Sequence, residues 1–203
     1  MDRNAHHFQL YIGPMFSGKT TGLLQALSTL KYAVAHQKIK KRVVLIKHSK
    51  DFNPETGELR GLHCSDGSDP YGWTGAELQI RSDLITDNED LSDVYAIGVD
   101  EGQFFSDLRE ACETWLTAGV RVYVAGLSCD SEGNTWKAIT DVLPMATEIV
   151  YKTAFCVDCG GVATFNDCLV PKNALVMIGG KGTYASRCYF CHVSAKRGEK
   201  ELQ

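Results

Sequence analysis

The chain has 203 residues, of which 44% are hydrophobic, and its formal net charge at pH 7 is −4. This composition excludes a disordered chain, and the negative balance disfavours binding of duplex DNA through a broad basic face. No apolar run reaches the roughly 20 residues of a membrane-spanning helix, and the opening residues MDRNAHHF lack the apolar core of a secretion signal. We therefore expect a cytoplasmic globular protein that binds neither nucleic acid nor membrane.

The first motif is a glycine-rich loop between an apolar strand at residues 10–12 and a helix with leucines spaced along residues 23–30. The loop matches the G-x-x-x-x-G-K-[ST] pattern, in which backbone N–H groups and a helix N-terminus bind phosphate. The lysine then adds charge for the outer phosphates, and the threonine hydroxyl serves Mg²⁺. A chance glycine turn is the alternative, which the order of strand, loop and helix disfavours. The loop residues are Gly13, Pro14, Met15, Phe16, Ser17, Gly18, Lys19 and Thr20.

An apolar run at residues 43–46 indicates a second strand, buried on both faces, after a helix end at residues 38–42. A strand, helix, strand unit builds a parallel sheet whose ligands lie at the carboxyl ends of the strands. Asp51 follows this strand and is a candidate for the Mg²⁺ or phosphate network, although a solvated loop carboxylate explains it equally well. Residues 53–75 are predicted to form a long loop and residues 77–84 a short helix.

A third apolar strand at residues 94–99 ends in the acidic pair of the sequence DEGQFF. An aspartate in this position, here Asp100, contacts the Mg²⁺ shell in many phosphate-loop enzymes. The adjacent Glu101 would project toward the reacting phosphate, where a general base is needed. An Asp-Glu pair activates water in an ATPase as readily as a hydroxyl in a kinase. The motif therefore indicates phosphoryl chemistry without naming the acceptor.

Two further helices and two further strands are predicted before the cysteine-rich region. They span residues 108–116 (helix), 121–127 (strand), 138–142 (helix) and 149–155 (strand). With the elements above, they predict an α/β fold that has a mostly parallel central sheet.

Four of the eight cysteines form two C-x-x-C pairs, Cys156 with Cys159 and Cys188 with Cys191. In a reducing compartment, this spacing indicates metal binding rather than disulfides. Four thiolates hold Zn²⁺ in a closed tetrahedral shell, which is typical of a structural site. His192 competes for a ligand position, and we interpret it instead as a residue beside the zinc site or on the surface.

The 28 residues between the two pairs exceed the roughly 15 to 20 of a simple zinc ribbon, so an insertion lies between them. It contains LVMIGGKGTY at residues 175–184, in which glycines permit close backbone approach. This stretch is either a flexible hairpin of uncertain role or a lid that excludes water. We expect a nucleotide-binding domain at residues 1–150 and a zinc-binding lobe at residues 151–203.

In order and spacing, GPMFSGKT, DEGQFF, the two C-x-x-C pairs and IGGKGTY resemble the zinc-containing thymidine kinases of animal cytosol and many bacteria. The resemblance extends from about Leu10 to Cys191. It implies transfer of the γ-phosphate of ATP to the 5′-hydroxyl of thymidine or deoxyuridine, which salvages pyrimidines for DNA synthesis. It also implies required Mg²⁺, structural Zn²⁺, a homotetramer, feedback inhibition by thymidine triphosphate, and a lasso-like loop that binds the base through its main chain.

The resemblance assigns roles to single residues as well. Glu101 corresponds to the proton acceptor, and Asp100 and Thr20 to residues on the metal side. Asp51 and Gln103 are assigned to the residues that bind the nucleotide. The nucleoside side consists of pocket walls, an aromatic residue near the deoxyribose, and backbone that reads the base. These residues are Met15, Phe104, Leu127, Trp136, Tyr184, Leu175, Val176, Met177, Ile178 and Gly179. Residue types alone favour ordinary core packing for the first three.

Three positions depart from the family's pattern. Asn53 stands where relatives usually carry an arginine, so the expected cationic contact with phosphate is missing there. Ser131 replaces an aromatic residue, and Asn166 replaces a common threonine. We expect these changes to affect the range of nucleosides rather than the type of reaction.

Two other classes of function remain open. One is a zinc-ribbon ATPase that acts on nucleic acid, which the acidic balance and the lack of a Lys/Arg stripe disfavour. The other is a nucleotide-sensing protein whose loop binds a partner.

Overall fold

The computed structural model describes residues 6–51, 78–82, 84–85, 90–170 and 182–201. The long loop predicted at residues 53–75 and the base-reading backbone at residues 175–179 lie outside these ranges. The centre of the fold is a six-stranded sheet in the order β3-β2-β4-β5-β1-β6, in which every pairing is parallel. Its strands are β1 (Phe8–Gly13), β2 (Arg42–His48), β3 (Leu78–Arg81), β4 (Val94–Val99), β5 (Arg121–Leu127) and β6 (Glu148–Tyr151). The parallel α/β fold expected from the sequence is thereby confirmed.

Helices cover both faces of this sheet. Successive side chains of a strand point to opposite faces, so these apolar strands present a hydrophobic surface on each side. On one face, Leu27 of the first helix packs with Val43 of β2. On the other face, Trp115 of the second helix packs with Val122 of β5. In the described part of the chain, no helix combines the length and hydropathy that crossing a bilayer requires. The helices on the sheet are α1 (Lys19–His36), α2 (Leu108–Thr117) and α3 (Lys137–Val142).

The register of the strands brings distant parts of the chain to one edge. Gly13 at the end of β1 lies opposite Leu127 at the end of β5, and Ile46 of β2 lies opposite Val99 of β4. The glycine-rich loop after β1, the residues after β2 and the acidic pair after β4 therefore meet at the carboxyl edge of the sheet. This is where parallel α/β sheets bind their ligands.

The region of the cysteines forms two small antiparallel hairpins and a helix. Its core is limited to a few residues, including Ala154 and Ala163, with Cys188 and Cys191 packed against them. So small a core needs a disulfide or a metal to hold it together. Its elements are β7 (Ala154–Phe155) paired with β8 (Val162–Ala163), β9 (Phe165–Cys168) paired with β10 (Tyr184–Arg187), and α4 (Tyr189–Glu201).

Two predicted elements are wrong. The strand expected at residues 149–155 is divided, because β6 ends at Tyr151 and pairs in the large sheet, whereas β7 begins at Ala154 and pairs in a small one. The helix expected at residues 77–84 is also wrong. Leu78–Arg81 is an edge strand paired with β2, so the sheet overrides the local helical preference.

Gly98 of β4 lies directly beneath Leu27 of α1. A Cβ atom added to Gly98 would lie 2.2 Å from Cδ1 of Leu27, which leaves no room for a methyl group. We expect Gly98→Ala to lower the free energy of unfolding by about 1 to 3 kcal/mol, because the buried Leu27 side chain has to leave its place in the packed core. Urea denaturation followed by circular dichroism measures this change.

Leu27→Ala provides the control for this clash. Alone it removes a buried side chain and is expected to cost about 2 to 5 kcal/mol. In the Gly98→Ala background it also makes room for the new methyl group, so the combined loss should be smaller than the sum of the separate losses. Additive losses would contradict the packing described.

Candidate active site

The glycine-rich loop connects β1 directly to α1 and depends on two glycines with positive φ, Gly13 at 153° and Gly18 at 79°. A Cβ atom on Gly13 would lie 2.0 Å from the carbonyl oxygen of Lys152, so a larger residue does not fit. Ser17 Oγ donates a hydrogen bond to the carbonyl oxygen of Pro14 at 2.8 Å and closes the turn. The loop thus brings its backbone to the N-terminus of α1, as phosphate binding requires.

Lys19 is buried inside this loop, and its Nζ donates to the carbonyl oxygen of Pro14 at 2.6 Å. Burial lowers the pKa of Lys19, while the negative charges of Glu101 and Asp100 oppose this shift. A carbonyl is a weaker partner for an ammonium group than an anionic oxygen. Phosphate oxygens in the loop are therefore favoured acceptors for Lys19.

Asp100 follows β4 and is almost fully buried, with 2% of its surface exposed. Its Oδ1 accepts hydrogen bonds from Thr20 Oγ1 and from the backbone N–H of Glu101, each at 3.1 Å. The structure therefore brings together Thr20 and Asp100, the two residues expected on the metal side. Both offer oxygen ligands, and Mg²⁺ is usually held by one or two carboxylates together with phosphate oxygens. The residues present fit that ion.

Glu101 has left-handed backbone geometry, with φ 54° and ψ 40°. Such geometry is uncommon for a residue other than glycine and is concentrated at functional sites. Burial, followed by the charge of Asp100, raises the pKa of the Glu101 carboxyl, while Lys19 opposes the shift. Its Oε2 accepts a hydrogen bond from Gln103 Nε2 at 2.5 Å, and Gln103 Oε1 accepts one from the Leu127 N–H at 3.0 Å. Gln103, expected on the nucleotide side, thus connects Glu101 to the backbone of β5.

Asp51 lies in a short 3-10 helix, Ser49–Asp51, which follows β2. Its Oδ2 is 2.6 Å from Nζ of Lys47, and only 10% of its side chain is exposed. The interpretation of Asp51 as a solvated loop carboxylate is therefore wrong.

Lys47 also lies 2.6 Å from Oδ2 of Asp100. Although burial disfavours its charge, the two carboxylates raise the pKa of Lys47. Sequence reasoning missed this residue, whose one signal is a lysine within an apolar strand.

Three expected pocket residues, Met15, Phe104 and Leu127, are only partly buried and belong to neither apolar core of the sheet. Phe104 makes an edge-to-face contact with Trp136, with ring centroids 5.9 Å apart. These residues border the same edge of the sheet as the acidic cluster, which consists of Asp51, Asp100 and Glu101. Tyr184 begins β10, and the base-reading stretch between Leu175 and Gly179 lies outside the described residues.

Asn166 connects the cysteine-rich lobe to the phosphate loop. It lies on β9 with 2% of its surface exposed, and its Oδ1 accepts a hydrogen bond from the Met15 N–H at 2.6 Å. Among the described residues, its Nδ2 has no hydrogen-bond partner. Sequence reasoning noted Asn166 as a departure from the family but gave no sign of this contact.

The four expected zinc ligands form a cluster, in which the Sγ atoms of Cys156, Cys159, Cys188 and Cys191 all lie within 4.8 Å of one another. The distance between Sγ of Cys159 and Sγ of Cys188 is 3.7 Å. Four sulfurs placed 2.3 Å from a tetrahedral Zn²⁺ are about 3.8 Å apart. The arrangement therefore fits zinc with four thiolate ligands and no open position.

His192 lies beside this cluster and is buried, so the alternative of a surface position is wrong. Its Nδ1 hydrogen-bonds with Oδ1 of Asp167, and its ring stacks on Phe165 with centroids 4.4 Å apart. Asp167 also accepts a hydrogen bond from Arg187 Nη1 at 2.9 Å. These contacts hold His192 against β9 rather than within the group of sulfurs.

A parallel sheet that bears a glycine-rich loop and an acidic cluster at its carboxyl edge is the architecture of a nucleotide-dependent phosphotransferase. The thymidine kinase family model matches residues 6–192. The thymidine kinases of monkeypox virus and of vaccinia virus strain Ankara are each 33% identical over 192 residues, which cover 95% of this chain and 99% of theirs. That of raccoon poxvirus is 31% identical over 191 residues, covering 94% and 99%. The chain belongs to the thymidine kinase family.

Cys156→Ser should abolish zinc binding, because a serine hydroxyl is a far weaker zinc ligand than the thiolate it replaces at this buried position. We expect elemental analysis to find about one zinc per chain in the wild type and almost none in the variant. Cys168→Ser is the matched control, since Cys168 lies on β9 outside the cluster and donates to the carbonyl oxygen of Val170 at 3.3 Å. Equal zinc content in all three proteins would contradict the assignment.

Proposed function

We propose that this protein transfers the γ-phosphate of ATP to the 5′-hydroxyl of thymidine, and also of deoxyuridine. Membership of the thymidine kinase family supports this reaction. The observation that carries the mechanism is the position of Glu101. Glu101 follows Asp100 directly in the chain, and Oδ1 of Asp100 accepts hydrogen bonds both from the Glu101 N–H and from Thr20 Oγ1 at the start of α1.

The nucleotide side of the site consists of the glycine-rich loop with Lys19, Thr20 and Asp100. Loop N–H groups and the Lys19 ammonium bind the phosphates of ATP, while Thr20 and Asp100 hold Mg²⁺. Mg²⁺ held there would supply positive charge beside the phosphates. Asp51 contributes to the nucleotide side indirectly, because it contacts Lys47, which in turn contacts Asp100. Positioning and electrostatics supply most of the acceleration, as is usual for phosphoryl transfer.

Glu101 acts as the general base. It takes the proton of the 5′-hydroxyl as the hydroxyl oxygen bonds to the γ-phosphorus, and the bond from that phosphorus to ADP breaks. The raised pKa of its carboxyl makes it a stronger proton acceptor than an exposed glutamate. Gln103 orients the carboxylate through Oε2, and its own position is held by the backbone of β5.

The nucleoside lies against Met15, Phe104, Leu127 and Trp136. Their partial burial and the aromatic contact between Phe104 and Trp136 support a flat, apolar binding surface. By resemblance to the family, Tyr184 lies near the deoxyribose, and the backbone of Leu175, Val176, Met177, Ile178 and Gly179 reads the base. A pocket fitted to a pyrimidine excludes larger purines.

The same resemblance supports four finer features. The chain forms a cytoplasmic homotetramer, and thymidine triphosphate inhibits it, since that molecule combines the nucleoside with the phosphates that the loop binds. Residues 1–150 form the nucleotide-binding domain, and residues 151–203 form a lobe that zinc stabilises and that carries the substrate-covering loop.

A radiolabelled transfer assay with [γ-³²P]ATP and a panel of nucleosides tests the proposed function. We expect labelled monophosphate with thymidine and deoxyuridine and none with purine nucleosides. A preparation that hydrolyses ATP only, with stimulation by DNA or RNA, would contradict the proposal in favour of a nucleic-acid ATPase. Slow hydrolysis unaffected by any nucleoside would favour a nucleotide sensor.

Glu101→Gln tests the general base. The amide is the same size but takes no proton, so we expect turnover to fall by at least about 100-fold while ATP binding, measured by calorimetry, is retained. Glu110→Gln on the exposed surface of α2 is the matched control and should have normal turnover. Near-normal turnover in Glu101→Gln would discard this assignment.

A further inference from the structure

Lys47 is a buried cation of the candidate site to which no chemical role has been assigned. It belongs to the apolar strand β2, and its side chain is fully buried. Its ammonium contacts Oδ2 of Asp51 and Oδ2 of Asp100, each at 2.6 Å. A buried ammonium needs such partners, because it has lost its hydration. Lys47 is therefore held by two carboxylates that follow different strands.

The register of the sheet determines this contact. β2 and β4 are parallel neighbours, and Ile46 lies opposite Val99. Lys47 and Asp100 are the next residues along the two strands, and the Asp100 N–H donates to the carbonyl oxygen of Ile46 at 2.9 Å. The backbone thus fixes the ammonium and the carboxylate side by side.

Asp100 uses its two oxygens for different partners. Oδ2 accepts from Lys47, whereas Oδ1 accepts from Thr20 Oγ1 and from the Glu101 N–H. With one oxygen held by Lys47, rotation of the carboxylate would break these bonds. Lys47 therefore keeps Oδ1 directed at the start of α1, the side expected to hold the metal.

The charges of the cluster are closely balanced. Asp51, Asp100 and Glu101 offer three carboxylates, and Lys19 and Lys47 offer two ammonium groups. The ammonium of Lys19 donates to a carbonyl of the phosphate loop, whereas that of Lys47 contacts two of the carboxylates. A divalent cation that bridged those carboxylates would have to displace the ammonium, because both would use the same oxygens.

We propose that Lys47 is a positioning residue that takes the place of a divalent cation between Asp51 and Asp100, so that the site binds metal only together with the phosphates of a nucleotide. This inference deepens the proposed function, since it explains how the order of metal and nucleotide entry is set by the chain itself. Phosphate oxygens supply the negative charge that the cluster lacks while Lys47 is in place.

Titration of the whole chain with Mn²⁺ alone tests this inference, with the free ion followed by electron paramagnetic resonance. Lys47→Met removes the charge and keeps most of the side-chain length. We expect it to bind Mn²⁺ at least about tenfold more tightly than the wild type, because two carboxylates lose their cation. Lys137→Met is the matched control: it removes an exposed lysine paired with Asp141, and Mn²⁺ affinity should stay within about twofold.

A second pair of variants makes the test independent of how well Lys47→Met folds. Asp51→Asn keeps Lys47 with a single carboxylate, and Lys47→Met/Asp51→Asn lacks the ammonium as well. We expect the double variant to bind Mn²⁺ more tightly than Asp51→Asn and less tightly than Lys47→Met. Equal Mn²⁺ affinity with and without Lys47, in either folded pair, overturns the inference.

Steady-state kinetics separate a positioning role from a loss of folded protein when turnover is expressed per folded molecule, measured by circular dichroism. Lys47→Met should lower kcat with little change in the KM for thymidine, because Lys47 acts through Asp100 and not on the nucleoside. A loss confined to KM overturns the positioning role. The Mn²⁺ titration contains no substrate, so a wild type that phosphorylates no nucleoside would contradict the proposed function and leave this inference standing.

Discussion

The carboxylate of Asp100 accepts hydrogen bonds from three separate parts of the chain. Thr20 belongs to the helix after the glycine-rich loop, Lys47 to a neighbouring strand, and Glu101 to the turn that follows β4. These parts meet because parallel strands end at the same edge of the sheet. A buried carboxylate that lost one of these partners would be costly, so the three partners are held in a fixed relation. The proposed chemistry of phosphate, metal and base depends on that relation.

The cysteine-rich lobe contributes to the same site through β9. His192 follows Cys191 of the sulfur cluster and hydrogen-bonds with Asp167. The preceding residue on that strand, Asn166, accepts a hydrogen bond from the Met15 N–H. Only a few covalent and hydrogen bonds therefore separate the sulfur cluster from the phosphate loop. A zinc ion held by the four sulfurs would therefore stabilise more than the small core of the lobe, because the lobe also contains the strand that contacts the glycine-rich loop.

Sequence patterns predicted the parts of the site that depend on local geometry. The glycine-rich loop, the acidic pair and the C-x-x-C pairs are short motifs whose residue types follow from steric or ligand requirements, and the structure brings their members together as expected. The missed features depend on pairing between distant segments. Leu78–Arg81 becomes a strand only because β2 lies beside it, and Lys47 acquires partners only through the register of β2 and β4. The contact of Asn166 with Met15 spans 151 positions and leaves no local pattern.

The bond between Asn166 and Met15 has a consequence for the way such a chain can be recombined. A chimera that exchanged only the C-terminal lobe would bring a different residue to the position of Asn166, and with it a different partner for the backbone of the recipient's loop. An exchange of the lobe alone would therefore alter a buried hydrogen bond of the glycine-rich loop. A graft that keeps this hydrogen bond carries both Asn166 and the loop that contains Met15.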